Sequence, residues 1–141
     1  MKDRFGIRRG ASRTTVRVSV ALIMVVDDEF SVAEVLESVL ADAGHEVITA
    51  VNGRQALERL GEKTPDLVLL DFMMPIMDGP ALLKAMKANP AQRQIPAVVM
   101  SSLPEAAVAA AAKGLYTAFL RKPFKLEGVI GVIDALLTRS G

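Results

Sequence analysis

The sequence predicts an α/β fold: a doubly wound, five-stranded parallel sheet with helices on both faces. Three observations carry this expectation. Short apolar runs alternate five times with stretches of helical periodicity. The runs show little polar alternation, as in strands buried on both faces by covering helices. No internal repeat or low-complexity segment breaks the order, and right-handed crossovers then leave few topologies.

The elements follow in sequence. Ala21–Val26 reads as the first strand. From Phe30 to Ala43, apolar residues at Val32, Val35, Leu36, Val39, Leu40 and Ala43 keep the three-and-four spacing of one helix face, and Gly44 ends it. Glu46–Ala50 is a short strand, expected at the sheet edge. Gly53 to Leu60 forms the second helix with Ala56, Leu57 and Leu60 inward. After Pro65, Leu67–Leu70 is a nearly all-apolar strand. Gly79 to Ala88 gives the third helix, stopped near Asn89-Pro90. Ala97–Met100 is the fourth strand. Pro104 to Lys113 is an alanine-rich fourth helix with proline in its first turn and Gly114 as its stop. Ala118–Leu120 is the fifth strand, and Leu126 to Leu137 the last amphipathic helix.

Composition narrows the function classes. The 141 residues hold no cysteine, no tryptophan and one histidine, which excludes disulfides, thiolate metal sites, cysteine nucleophiles and histidine-rich metal centres. The net charge of +1 hides an asymmetry: residues 1–20 carry six basic side chains and one acid, and the remainder carries 11 basic and 15 acidic ones. Residues 1–19 are therefore expected as a flexible basic tail and residues 20–141 as one mildly acidic domain, a poor match for direct DNA binding through the domain face. A basic stretch before Val18–Val26 mimics a secretory signal. Asp27, Asp28 and Glu29 end that run where a small-residue cleavage site belongs, and nine residues are too few to span a membrane. A cytoplasmic location without membrane attachment is expected.

Position is the informative feature of the polar residues. Asp27 and Asp28 follow the first strand, Asp71 ends the third, Ser101 and Ser102 close the fourth, and Lys122 follows the fifth. Sites in open parallel sheets form outside the carboxyl ends of the strands, where the strand order reverses. Carboxylates crowded there repel one another, and a divalent cation relieves the repulsion. All-oxygen ligation suits Mg²⁺, with Mn²⁺ as the alternative. A cation, an ammonium and a hydroxyl around one carboxylate make a pocket for a phosphoryl group. His45 is expected on the surface, and Met73, Met74 and Met77 as packing or loop-lining residues.

The motifs VVDDE (Val25–Glu29), LLDFMMPIMDG (Leu69–Gly79), VMSS (Val99–Ser102) and RKPF (Arg121–Phe124), in this order and spacing, resemble the receiver domain of response regulators in bacterial two-component signalling. The resemblance covers about residues 20–140. It implies the flavodoxin-like strand order 2-1-3-4-5 and a phosphoacceptor at Asp71. It implies Mg²⁺ ligation by Asp28, by Asp27 directly or through water, by Asp71, and by the backbone carbonyl of Met73. Lys122 would pair with a phosphoryl oxygen, next to a cis bond to Pro123. Ser101 would be the switch hydroxyl and Phe119 the switch aromatic, with Tyr116 as the alternative because the stretch from Gly114 to Ala118 runs one residue longer than the common pattern.

The function so implied is a stand-alone switch rather than a multiple-turnover enzyme. It takes a phosphoryl group from a histidine kinase or histidine phosphotransfer protein and catalyses its own phosphorylation and dephosphorylation. The alternatives are an intermediate carrier in a phosphorelay and a Mg²⁺-dependent hydrolase using Asp71 as nucleophile. Because the chain ends after the fifth helix, output is expected as a protein contact through the face of the fourth helix, fifth strand and fifth helix. Alanines at 106, 107 and 109–112, with Gly128 and Gly131, make that face smooth. It suits either tight packing on the sheet or a partner surface, including a homodimer. Met73 and Leu103, two positions after Asp71 and Ser101, are apolar and cannot orient an attacking water, so self-dephosphorylation is expected to be slow.

Overall fold

The computed structural model describes residues 20–140; the expected tail, residues 1–19, lies outside the described residues. The chain runs β1 (Leu22–Val26), α1 (Phe30–Asp42), β2 (Glu46–Ala50), α2 (Gly53–Glu62), β3 (Leu67–Asp71), α3 (Gly79–Ala88), β4 (Ala97–Ser101), α4 (Glu105–Ala112), β5 (Ala118–Arg121) and α5 (Leu126–Ser140). All strand pairs are parallel and the order is β2-β1-β3-β4-β5, as expected. The order reverses between β1 and β3, which opens a crevice at their carboxyl ends.

Strand period two divides the core into two layers. Ile23, Val25, Leu67, Leu69, Val98, Met100 and Leu120 pack with Ala33, Leu36 and Leu40 of α1 and Val129, Ile133 and Leu136 of α5. Met24, Val26, Val68, Leu70, Ala97 and Val99 pack on the other face with α2, α3 and α4. The β1, β3 and β4 side chains are almost wholly buried, which is why these strands carry no polar alternation, whereas the edge strand β2 is largely half-exposed.

Local chemistry sets the element ends. Gly44 and Gly114 follow α1 and α4 at φ of 96° and 82°, a region that stops a helix and favours glycine. Asn52 and Asp78 accept the N–H groups of Gln55 and Ala81 as helix caps. Pro104 caps α4 rather than entering its first turn. In α1 the inward face centres on Ala33, Leu36 and Leu40, and Val35 falls outside it, half-exposed.

Asp71 and Ser101 end β3 and β4, as expected, and the ladder holds them there: Asp71 pairs with Met100, Ser101 with Arg121, and the Phe72 N–H reaches the Met100 carbonyl at 2.9 Å. His45, expected on the surface, is instead buried at 7% exposure. Its Nδ1 accepts the Ala21 N–H at 3.0 Å, satisfying a donor at the very start of β1.

Gly79 begins α3 where the helix presses on β3's exit. A Cβ there would lie 2.9 Å from both the Cα and the carbonyl oxygen of Phe72, neither of which can move aside. Gly79→Ala is expected to lower stability by about 2 kcal/mol in chemical denaturation, as backbone overpacking does. Gly61→Ala, with open space around it, is the control that should not.

Candidate functional site

The period of the strands aims the functional side chains. Asp71 continues the Leu67–Leu69 face of β3, and Asp27 the Ile23–Val25 face of β1, so both carboxylates leave the sheet on its α1/α5 side at adjacent strand tips. Lys122, just past β5, continues the Ala118–Leu120 face and reaches across from the third tip. Its Nζ stands 3.3 Å from Asp71 Oδ1, 3.4 Å from Asp27 Oδ2 and 3.6 Å from Glu29 Oε1. The Lys122–Pro123 bond is cis, as the resemblance implied. Glu29 is the member that the sequence reading did not single out. Its place directly after the aspartate pair was the available signal.

Burial and charge set the proton affinities. Asp71 is 8% exposed, and burial first, then the charge of Asp27, lifts its pKa from 3.8 to about 6 against the opposing pull of Lys122. Asp27, 1% exposed, is also raised, by burial foremost, although the Glu29 N–H and Lys122 both favour its charged form. Burial works to lower the Lys122 pKa, but the charges of Asp27 and Asp71 outweigh it and the net shift is upward, so Lys122 stays an ammonium. One ammonium thus leaves this group of carboxylates under-compensated.

Asp28 is exposed beside them. One carboxylate oxygen from each of Asp27, Asp28 and Asp71 lies within 4.8 Å of the others. An all-oxygen donor set, surplus negative charge and one solvent-facing side suit a hard divalent cation that keeps part of its water shell. Met73, assigned a carbonyl role, stands in the loop after β3 with its side chain in solvent, and Met74 and Met77 pack on the α2–α4 layer.

Ser101 is buried at the tip of β4, and its Oγ accepts the Leu103 N–H at 3.0 Å, which leaves its hydroxyl proton free for another acceptor. Ser101 follows Ala97 and Val99 on the α2–α4 face of the sheet, and Phe119, paired with Val99, packs on that same layer. Tyr116 also packs there, ahead of β5, with its hydroxyl 3.5 Å from Glu105 Oε2. Phe119 alone of the two sits on the strand beside Ser101.

The raised Asp71 pKa has a stability consequence with a definite sign. The charged form is disfavoured in the fold, so the penalty is absent below the ordinary pKa of 3.8, grows as pH rises, and is complete above about 6. Without divalent cations, Asp71→Asn is expected to stabilise the protein above about pH 7 by up to about 3 kcal/mol, a figure that already contains the Lys122 attraction. The gain should vanish below about pH 4. Paired denaturation curves across this range check it.

Comparison with known proteins agrees with this fold. Residues 23–134 match the family model of the response regulator receiver domain. The DNA-binding transcriptional regulator NtrC of Escherichia coli (strain K12) is 38% identical over 119 residues, 83% of this chain and 25% of NtrC. Protein PilG of Pseudomonas aeruginosa is 33% identical over 80% of this chain and 84% of PilG. The chemotaxis response regulator CheY4 of Vibrio cholerae superposes with a TM-score of 0.79 at 28% identity, covering 84% of this chain and 99% of that one. The chain spans about a quarter of the length of NtrC. With the receiver model covering most of its length, this chain belongs to the response regulator receiver domain family.

Proposed function

We propose that this chain accepts a phosphoryl group on Asp71 from a phosphohistidine of a kinase or phosphotransfer protein, with a divalent cation, Mg²⁺ foremost, as cofactor. The observation that carries the reading is the convergence of Lys122 Nζ on Asp71, Asp27 and Glu29 within 3.3–3.6 Å, beside a cluster of three aspartates. Asp27, Asp28 and Asp71, with the Met73 carbonyl, would hold the cation. When bound, it supplies charge neutralisation for the phosphoryl oxygens.

The remaining work falls to side chains. An Asp71 carboxylate oxygen forms the new O–P bond as the P–N bond to the donor imidazole breaks, and that electron pair returns to the ring nitrogen. Transfer needs Asp71 ionised, and the positive charge of Lys122 favours that form. Lys122, already 3.3 Å away, pairs with a phosphoryl oxygen once Asp71 carries the group. Ser101 donates its spare proton to another phosphoryl oxygen. Movement of Ser101 frees space on the α2–α4 face for the Phe119 ring, which changes the α4–β5–α5 surface that a target protein reads. Phosphoryl relay to another histidine uses the same chemistry.

Incubation with acetyl phosphate and Mg²⁺ is expected to add the mass of one phosphoryl group, seen by mass spectrometry of the intact protein. Asp71→Asn or chelation of the metal should abolish the adduct, and Lys122→Ala should lower its yield by about tenfold or more, as loss of a charged transition-state contact does. An adduct that persists in Asp71→Asn would overturn the assignment.

The lifetime of the phosphorylated form is a separate expectation. Met73 and Leu103 flank Asp71 and Ser101 with apolar side chains, and Leu103 is packed into the α2–α4 layer. Replacing Met73 with Asn and Leu103 with Glu should speed decay of the adduct several-fold, because a polar group can then orient the attacking water. Unchanged decay in the double variant would remove this account of a long lifetime.

A further inference from the structure

The loop after Asp71 contains the one non-glycine residue at positive φ among the described residues: Ile76, at 69°. The Met77 N–H donates to the Pro75 carbonyl at 2.7 Å, closing a three-residue γ-turn on Ile76. That turn form is rare and strained, and a β-branched side chain is among the least suited to it. Glycine or asparagine would fill the position with less strain. Core packing does not explain the choice, since the Ile76 side chain is 74% exposed. The turn is held from outside: the Met77 carbonyl accepts the Gly53 N–H at 2.9 Å, and the Gly79 N–H reaches the Phe72 carbonyl at 2.9 Å.

The distribution of other exposed apolar residues gives the choice a direction. Of the six other exposed large apolar residues among the described residues, Val20 lies before β1 and Val35 on α1, whereas Phe30, Val51, Met73 and Leu126 each stand in or at the end of a connection leaving the carboxyl end of β1, β2, β3 or β5. They gather at the edge of the sheet where Asp71 opens, although charged groups there would suit solvent better.

We infer that Ile76 is held in this strained turn to present an apolar contact to the phosphodonor protein, and that it helps set which donors this chain accepts. The inference rests on the reading of Asp71 as phosphoacceptor. Asp71 is recessed, with only 11% of its side chain exposed. A donor must bring phosphorus to within about 3–3.5 Å of its oxygen, so the surface bearing the phosphohistidine is forced down onto the loops around the pocket. A small donor such as acetyl phosphate enters without touching them.

The test compares unaltered protein with Ile76→Asn and Ile76→Val. The protein donor is whichever of a panel of purified, radiolabelled histidine kinases labels the unaltered chain fastest. Ile76→Asn should melt no lower than the unaltered protein, because asparagine tolerates the positive φ. It should take label from acetyl phosphate within twofold of the normal rate, but from the kinase with kcat/KM lowered about tenfold, mainly through KM. Ile76→Val, which keeps the apolar branch, should behave as the unaltered chain with both donors. Normal transfer from the kinase to Ile76→Asn would overturn the inference, as would a parallel loss with acetyl phosphate, which marks a role confined to the loop's own structure. Failure of acetyl phosphate to label the unaltered chain would instead strike the phosphoacceptor reading itself.

Discussion

One ammonium held among three carboxylates is the interaction on which the rest of this molecule depends. Lys122 balances Asp27, Asp71 and Glu29 at once, from a strand tip two places away in the sheet from β3. No local segment of chain can build that arrangement. It needs β1, β3 and β5 in one parallel sheet, in register, with their carboxyl ends at the same edge. The apolar layers on both faces therefore serve the polar edge: they fix three backbones rigidly enough that three charges from distant parts of the sequence meet within a few ångströms.

The arrangement is also incomplete. Asp71 and Asp27 both hold protons more tightly than carboxylates in water, because burial costs them more than Lys122 and the nearby N–H groups return. A site built for stability alone would replace one of these acids. Retaining both makes the pocket receptive to positive charge from outside and, once that is present, to a negatively charged oxygen-rich group. The local instability is thus the physical basis of the proposed chemistry, in keeping with the general cost of functional sites.

Much of this was legible in the sequence, and for definable reasons. Leu67–Leu70 and Ala97–Met100 could be read as buried strands because nothing polar interrupts them, and Gly44 and Gly114 marked helix ends because only the backbone explains a glycine there. Asp27, Asp28, Asp71 and Lys122 stood out because each breaks or follows an apolar run at its carboxyl side. What escaped is what depends on contacts between segments. His45 looks like a solvated residue after a glycine until β1 is laid beside it and the Ala21 N–H needs an acceptor. Glu29 looks like the first acid of a helix until Lys122 arrives from 93 residues further along the chain. The strain at Ile76 belongs to a turn whose geometry is imposed by Gly53 and Phe72 in other elements.

The parity of the strands has a last consequence for how a change at Asp71 could be felt elsewhere. Asp27, Asp71 and Lys122 lie on the α1/α5 face, whereas Ser101 and Phe119 belong to the α2–α4 face. A rigid sheet with close-packed layers would keep these two sets apart. They meet only at the sheet's edge, where Ser101 ends β4 beside Asp71 and the pleat has no further residues to enforce it. The tip of β4 is therefore the place where a group bound on one face can draw on a hydroxyl rooted in the other. Phe119, which pairs with Val99 on the same side as Ser101, is only half-buried and so has somewhere to go. This geometry supports the proposed switch without asking the core to deform: the coupling runs around the end of a strand and not through the packed layers.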